Sequence, residues 1–424
     1  MEKSIRARII ELIRSEVVPA MGCTEPAAVS LCVARAMELL GELPERIELR
    51  LSGNIIKNAM GVGIPGTGMI GLPIAVALGA IVGKSAYGLE VLRDVDPDSL
   101  SRARMYVDEK RIVISHKSDV PSNLHIEVDA VSGDNRATAV ISGAHTNFVY
   151  LAKDGEVLLD KPLQADSGRH DDIKLTEAMV YEFATTAPLD EISFMYEAGE
   201  MNLRAAREGV DGSYGHCLGK ILKEHGKTLF GDTPLMHMLM MTGAACDARM
   251  GGAQIAVMSN SGSGNQGITA TLPVMSYAME TGADRERTIR ALTLSGLTSI
   301  YIKQSLGRLS ALCGCVVAST GAAGGLVYLM NGSYSQVCAA IKNMVANLTG
   351  MICDGAKPSC ALKISSGVCS AMMSAMLAMN NQCVSSSEGI IDDDIDMTIH
   401  NLTSIGRDAM EETDRQVLRI MVDK

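Results

Sequence analysis

The hydrophobic periodicity of this chain changes once, at a polar segment spanning residues 160–172, and that change demands two kinds of structure. Before it, Arg46-Ile47-Glu48-Leu49-Arg50-Leu51 alternates at period two, as do residues 111–115, 124–128 and 137–142. Successive side chains of a strand point to opposite faces, so these runs predict a sheet with one buried face. Helical spacing appears near residues 3–17 and 25–41, separated by a break from Pro19 to Pro26, and again near 70–82. The segment Asp160-Lys161-Pro162-Leu163-Gln164-Ala165-Asp166-Ser167-Gly168-Arg169-His170-Asp171-Asp172 is polar, turn-rich and aperiodic. From Lys174 onward, long stretches of Ala, Leu, Met and Glu broken by glycine clusters predict a helical bundle. The expected class is α+β: an N-terminal α/β sheet domain over residues 1–160, then an all-α domain over 173–424. No repeat of 20–50 residues is present.

The bundle has few large side chains to fill it. There is no Trp and there are only 4 Phe, against 41 Gly and 27 Met, so Ala, Leu, Ile, Val and Met must form the interior between closely approaching helices. Such helices are also compatible with a homodimer, although no motif fixes its symmetry. The 38 Lys and Arg against 49 Asp and Glu give a net charge of −11, and no basic run interrupts it. That balance argues against an extended nucleic-acid surface and leaves a small-molecule substrate as the expected partner. The longest apolar stretch, residues 70–82, contains Pro73 and falls short of the roughly 20 residues a bilayer requires, so no membrane insertion is expected. The start, Met1-Glu2-Lys3-Ser4-Ile5-Arg6, opens a charged amphipathic helix rather than the apolar core of a signal peptide. The expected location is therefore cytoplasmic, with the 11 cysteines reduced.

Those cysteines are grouped. Cys313-Gly314-Cys315 and Cys353-Asp354-Gly355-Ala356-Lys357-Pro358-Ser359-Cys360 lie in Gly- and Ala-rich sequence that does not need them for packing. Soft thiolates suit iron–sulfur clusters, and one short loop can offer two ligands to one cubane. The spacing matches neither ferredoxin Cys-x-x-Cys repeats nor a zinc ribbon, and buried free thiols remain the alternative. Cys23, in Met21-Gly22-Cys23-Thr24-Glu25-Pro26, stands at a helix start, where the helix dipole favours a thiolate. The loop Gly61-Val62-Gly63-Ile64-Pro65-Gly66-Thr67-Gly68, with Ser52-Gly53-Asn54 before it, is either a carboxylate cradle or a tight turn before a helix. Ser259-Asn260-Ser261-Gly262-Ser263-Gly264-Asn265-Gln266-Gly267 offers neutral donors and acceptors suited to an amino acid or to the wall of a metal site, or is a plain interhelical loop. Lys57, Lys357 and Lys363 lack a pyridoxal phosphate setting. Asp392-Asp393-Asp394 is read as a helix cap rather than a metal site.

In combination, these motifs resemble the L-cysteine desulfidase family (UPF0597-like), a branch of the iron–sulfur L-serine dehydratases, over nearly the whole chain. The segment Ile405-Gly406-Arg407-Asp408-Ala409-Met410 followed by Thr413-Asp414-Arg415 is similar to the C-terminal helix of the serine dehydratase α domain. The resemblance implies a [4Fe–4S] cluster held by Cys313, Cys353 and Cys360, with Cys315 the rival for the first. It implies Cys23 as general base, or as a fourth ligand in a resting state. It further implies an amino-acid substrate contacted by Thr24, Glu25, Ser52, Asn54, Asn260, Ser261, Asn265 and Gln266. The implied reaction is elimination of sulfide from L-cysteine to give pyruvate and ammonia without pyridoxal phosphate. Two other readings are an L-serine or L-threonine dehydratase on the same scaffold and a non-enzymatic amino-acid-binding or thiol redox-sensing protein.

Overall fold

The computed structural model describes residues 1–120, 122–162, 173–307 and 310–423. Most of the polar segment expected to divide the domains, residues 163–172, lies outside them. The architecture is α+β, with an N-terminal mixed sheet and its helices followed by a mostly helical region.

The N-terminal part runs α1 (Lys3–Glu16), β1 (Pro19–Met21), α2 (Thr24–Leu40), β2 (Arg46–Leu51), α3 (Gly53–Ala59), α4 (Leu72–Ile81), α5 (Pro97–Asp108), β3 (Ile112–His116), β4 (His125–Ser132), β5 (Asn135–Ser142), β6 (Phe148–Lys153) and β7 (Glu156–Asp160). Six strands form one sheet in the order β3-β2-β4-β5-β6-β7, with β2 and β3 parallel and every other pair antiparallel. Alternation decides which side is buried. Ile47, Leu49 and Leu51 of β2, Ile126 and Val128 of β4 and Ala139 and Ile141 of β5 enter one core with Val29, Val33, Val76 and Leu78 of α2 and α4. The opposite face carries a charge ladder in which Arg50 binds Glu127 (2.8 Å) and Asp129. The hairpin β6–β7 was not among the strands read from the sequence. Its turn, Asp154-Gly155, has both residues at positive φ, and Asp-Gly between apolar runs is the signal that could have revealed it.

The helical part contains α6 (Glu177–Thr186), α7 (Leu189–Ile192), α8 (Phe194–Asp211), α9 (Leu218–Phe230), α10 (Pro234–Met250), β8 (Ala256–Met258), α11 (Gly264–Thr281), α12 (Arg285–Leu306), α13 (Gly314–Leu329), α14 (Tyr334–Leu348), α15 (Cys360–Met379), α16 (Ile395–Ser404) and α17 (Glu411–Val422). Helices approach closely where side chains are missing. A Cβ on Gly209 of α8 would lie 1.9 Å from the Ala244 carbonyl oxygen of α10, and one on Gly321 of α13 would lie 2.3 Å from that of Ser295 in α12. Asp394 caps α16 by accepting from the backbone N–H of Asp396 and Met397, as read from the sequence. Among the described residues, α15 alone is long and apolar enough to cross a membrane, and half of its apolar window is buried within the protein.

The N-terminal segment does not stay with the sheet. β1 pairs antiparallel with β8, Ala20 opposite Val257, and Ile9, Leu12, Ile13 and Val17 join the core of the helical part. The chain immediately before Cys23 is thereby fastened to the helical body.

One buried group makes stability depend on pH. Glu177 is fully buried; Thr298 donates to its Oε1 (3.0 Å), while Oε2 has no partner among the described residues. Burial, reinforced by nearby Asp396, pushes its carboxyl from 4.5 up to about 8. The folded protein therefore holds a proton that the unfolded chain releases. This contribution is complete below pH 4.5 and is lost through pH 8, at about 1.4 kcal/mol per pH unit in between. Replacing Glu177 with Gln should remove that slope. Urea unfolding at pH 6, 7 and 8 should show Glu177→Gln gaining on wild type by about 1.4 kcal/mol per unit.

Candidate active site

The thiols gather where helices begin. Cys23 is the N-cap of α2, Cys313 is the N-cap of α13, and Cys360 is the first residue of α15. The N-cap of α11, Ser263, precedes Asn265, which joins the same centre. Each of these helices has at least 16 residues and directs unsatisfied N–H groups and the positive end of its dipole toward its start.

Backbone pairing sets two of the cysteines side by side. Leu312 and Ile352 form an antiparallel bridge, with Cys313 N–H donating to Met351 O (3.0 Å) and Cys353 N–H to Ala311 O (2.6 Å). The turn that follows returns Cys360 to the same place, its N–H on Lys357 O (2.9 Å) and its thiol 3.7 Å from Gly355 O. The three thiols lie within electrostatic reach of one another. Cys360 in turn reaches Cys23 and Cys246.

Cys313 and Cys315 differ. Interaction with the adjacent Cys315 pulls Cys313 below the usual thiol range, with help from Lys363. The same interaction and burial hold Cys315 above that range. The Cys315 sulfur also lies 3.0 Å from the backbone carbonyl of Lys363 in α15, as a thiol donating away from the group. Cys353 and Cys360 are both raised, burial being the largest cause.

The expected thiolate at Cys23 is not what the closed structure favours. Burial pushes its thiol up to about 12, further than the neighbouring Arg249 guanidinium can offset. The sequence reading counted the helix dipole but could not see that Cys23 retains only 5 % of its exposure.

Arg249, in the last turn of α10, was missed. Its Nη2 donates to Cys23 Sγ (3.4 Å) and to Gly22 O (3.1 Å), and its Nη1 donates to Asn265 Oδ1 (3.0 Å). Cys246, also missed and fully buried, has its thiol 3.7 Å from the same Asn265 oxygen. The i, i+3 spacing of Cys246 and Arg249, just before Gly251-Gly252, is the sequence signal that could have placed both on one helix face.

The structure separates the other expected substrate residues into two groups. In the 260–267 loop, Asn260 Nδ2 donates to Gly296 O (3.0 Å), Ser261 Oγ to Asn260 Oδ1 (2.9 Å) and Gln266 Nε2 to Asn260 O (3.0 Å), so these groups hold the loop itself. Gln266 Oε1 is buried without a partner among the described residues, beside Gly314, which lies between Cys313 and Cys315 in sequence. Thr24 and Glu25 begin α2 and bond to each other (3.1 Å). Ser52 and Asn54 instead line a cavity of roughly 660 Å³ between α3, the end of β3 and α17. Buried Lys57, paired with Asp414 of α17, also lines that cavity, and its backbone packs against Gly355 of the cysteine loop. The 61–68 loop is a turn rather than an anion cradle. Four of its N–H groups are already engaged, Gly63 to Met250 O, Ile64 to Met69 O, Gly66 to Gly252 O and Thr67 to Ile64 O.

The donors fit an iron–sulfur cluster by chemistry and by charge. Three soft thiols converge without the crowding of carboxylates that hard cations require, and Lys57, Lys363 and Arg249 stand near enough to balance thiolate charge. Among the described residues no three His, Cys, Asp or Glu side chains close on a single-ion position. A cubane differs from a single ion in that its ligands bind different irons and stand farther apart.

The serine dehydratase alpha chain family matches residues 86–419, which include every thiol of the group except Cys23. A UPF0597 protein of Bacteroides fragilis is 60 % identical over the full length of both chains. One from Oleidesulfovibrio alaskensis is 47 % identical over 99 % of this chain and 98 % of its own, and one from Actinobacillus pleuropneumoniae is 41 % identical over 100 % and 98 %. With full-length relatives at this identity and a serine dehydratase alpha-like domain of the kind found in iron–sulfur dehydratases, the chain belongs to the UPF0597 family, of lyase type.

Proposed function

We propose that this protein is an L-cysteine desulfidase dependent on a [4Fe–4S] cluster. The observation that carries the reading is the convergence of Cys313, Cys353 and Cys360, with Cys23 in electrostatic reach of Cys360. Cys313, Cys353 and Cys360 would hold the cluster. Cys313 is preferred over Cys315 because the Cys315 thiol is turned to the α15 backbone, on Lys363 O. When bound through three thiolates, such a cluster supplies an open iron as Lewis acid for the leaving group.

The chain supplies the proton chemistry and the enclosure. Cys23 Sγ, as thiolate, takes the α-proton of L-cysteine. The electron pair of that C–H bond forms the Cα=Cβ bond as the Cβ–S bond breaks and sulfur leaves as HS⁻. The enamine tautomerises to an imine, and water converts it to pyruvate and ammonia. Cys23 sits deeper than Cys353 and Cys360, which are only half-buried, so the base is screened from water behind the ligands. The match to serine dehydratase alpha chain favours a second reading, elimination of water from L-serine or L-threonine by the same groups. Sulfide release from cysteine compared with pyruvate formation from serine separates the two.

Three outcomes test the proposal. Wild type purified without oxygen should carry about four irons per chain and release sulfide from L-cysteine. Cys353→Ala and Cys360→Ala should each lose most of the iron and at least 100-fold in activity, whereas Cys315→Ala should retain its iron. Full iron and activity in the Cys353 and Cys360 variants would overturn the reading, and an iron-free wild type that stays inactive after reconstitution would favour thiol sensing. Because a base works deprotonated and burial holds Cys23 above the ordinary value of 9.0, kcat should still be rising between pH 7 and 9, about tenfold per unit. A profile already flat by pH 7 would exclude Cys23 as the base.

A further inference from the structure

Arg249 is a buried guanidinium, 5 % exposed, with no carboxylate at ion-pair distance among the described residues. Its Nε is buried without a partner among the described residues and faces Gly264, where a Cβ would lie 2.3 Å away. A charge withdrawn from water without a counter-charge is costly and is retained only where something requires it. The polar atoms it touches belong to the 22–23 turn and to Asn265.

The geometry is that of a clamp. Nη2 reaches both the sulfur of Cys23 and the carbonyl oxygen of the preceding residue, so one nitrogen defines the position of the sulfur relative to its own backbone. Nη1 is fixed by Asn265, the second residue of α11, which also lies in reach of the Cys246 thiol. Planarity of the guanidinium transmits that fixation to Nη2, which a flexible ammonium could not do. The clamp thereby ties the ends of α10 and β1 to the start of α11.

We infer that Arg249 is the positioning residue of Cys23, holding its sulfur in place and serving as its counter-charge when it is ionised, with Asn265 orienting the guanidinium. Asn265 is then a support for the base rather than a contact for substrate. The kinetic part of this inference rests on the lyase reading; the thiol chemistry does not.

The experiment compares wild type with Arg249→Gln, Arg249→Lys and Asn265→Ala, each checked for wild-type helical circular dichroism and, as holoenzyme, for wild-type iron content. In cluster-free protein at pH 9, alkylation of Cys23 by iodoacetamide, followed by peptide mass spectrometry, should slow at least tenfold in Arg249→Gln and three- to tenfold in Asn265→Ala. In the loaded enzyme Arg249→Gln should lower kcat at least 100-fold with KM within threefold. Arg249→Lys, which restores charge without the fork, should recover part of the alkylation rate and little of kcat. Wild-type alkylation of Cys23 in folded Arg249→Gln would overturn the inference, as would kcat within threefold of wild type. If Arg249→Gln does not fold, Asn265→Ala decides, since it leaves the buried charge in place; an unchanged Cys23 rate there refutes the clamp. If wild type proves inactive toward L-cysteine and L-serine, the lyase reading fails while the alkylation ratio still decides the role of Arg249.

Discussion

Positive potential, from helix starts and from cationic side chains, organises the centre of this molecule. Four helices begin within reach of one another, and a thiol stands at the start of three of them, Cys23, Cys313 and Cys360. Helix starts present unpaired N–H groups, and burying several together would be costly without anions to receive them. Thiolates meet that need, and Lys57, Lys363 and Arg249 add to the field. The field is opposed by burial, which raises most of these thiols. Cys313 is the exception, lowered by its interaction with the adjacent Cys315 and by Lys363.

That arrangement explains why the chain can do with so few large side chains. To bring helix starts together, the helices must approach closely along their lengths, and large aromatic groups would hold them apart. Ala244 receives Gly209 and Gly219 from two different helices, and Gly321 packs on Ser295. The sheet adds a stable platform whose α2 carries Cys23 at its N-cap, while β1, paired to β8, fixes the approach of the chain to that cysteine.

Much of the fold was legible because it depends on local periodicity. The strands 46–51 and 137–142 and the helices 24–40 and 72–81 lie within a residue or two of where alternation and helical spacing put them. The β6–β7 hairpin was missed although Asp154-Gly155 marked it. For the site, the thiols were readable as motifs, because Cys313, Cys353 and Cys360 occur in short loops at helix starts. Arg249 and Cys246 were not, because what brings them to the centre is the fold: Arg249 meets Gly22 and Cys23 across more than 200 residues. The raised Cys23 thiol was likewise invisible, since burial is a property of the whole fold. Asn260 and Gln266 show the converse, polar residues that suggested recognition but are engaged in holding their own loop.

The pairing of β1 with β8 has a consequence for biosynthesis. Cys23 leaves the ribosome early, yet the strand that fastens its approach ends at Met258, Arg249 lies on α10, and the remaining thiols extend to Cys360. A nascent chain can complete its sheet long before it possesses this centre. Chemistry that needs the assembled thiols must therefore follow release of nearly the whole polypeptide, and a chain truncated before Cys360 would lack part of this centre however well its N-terminal half had folded.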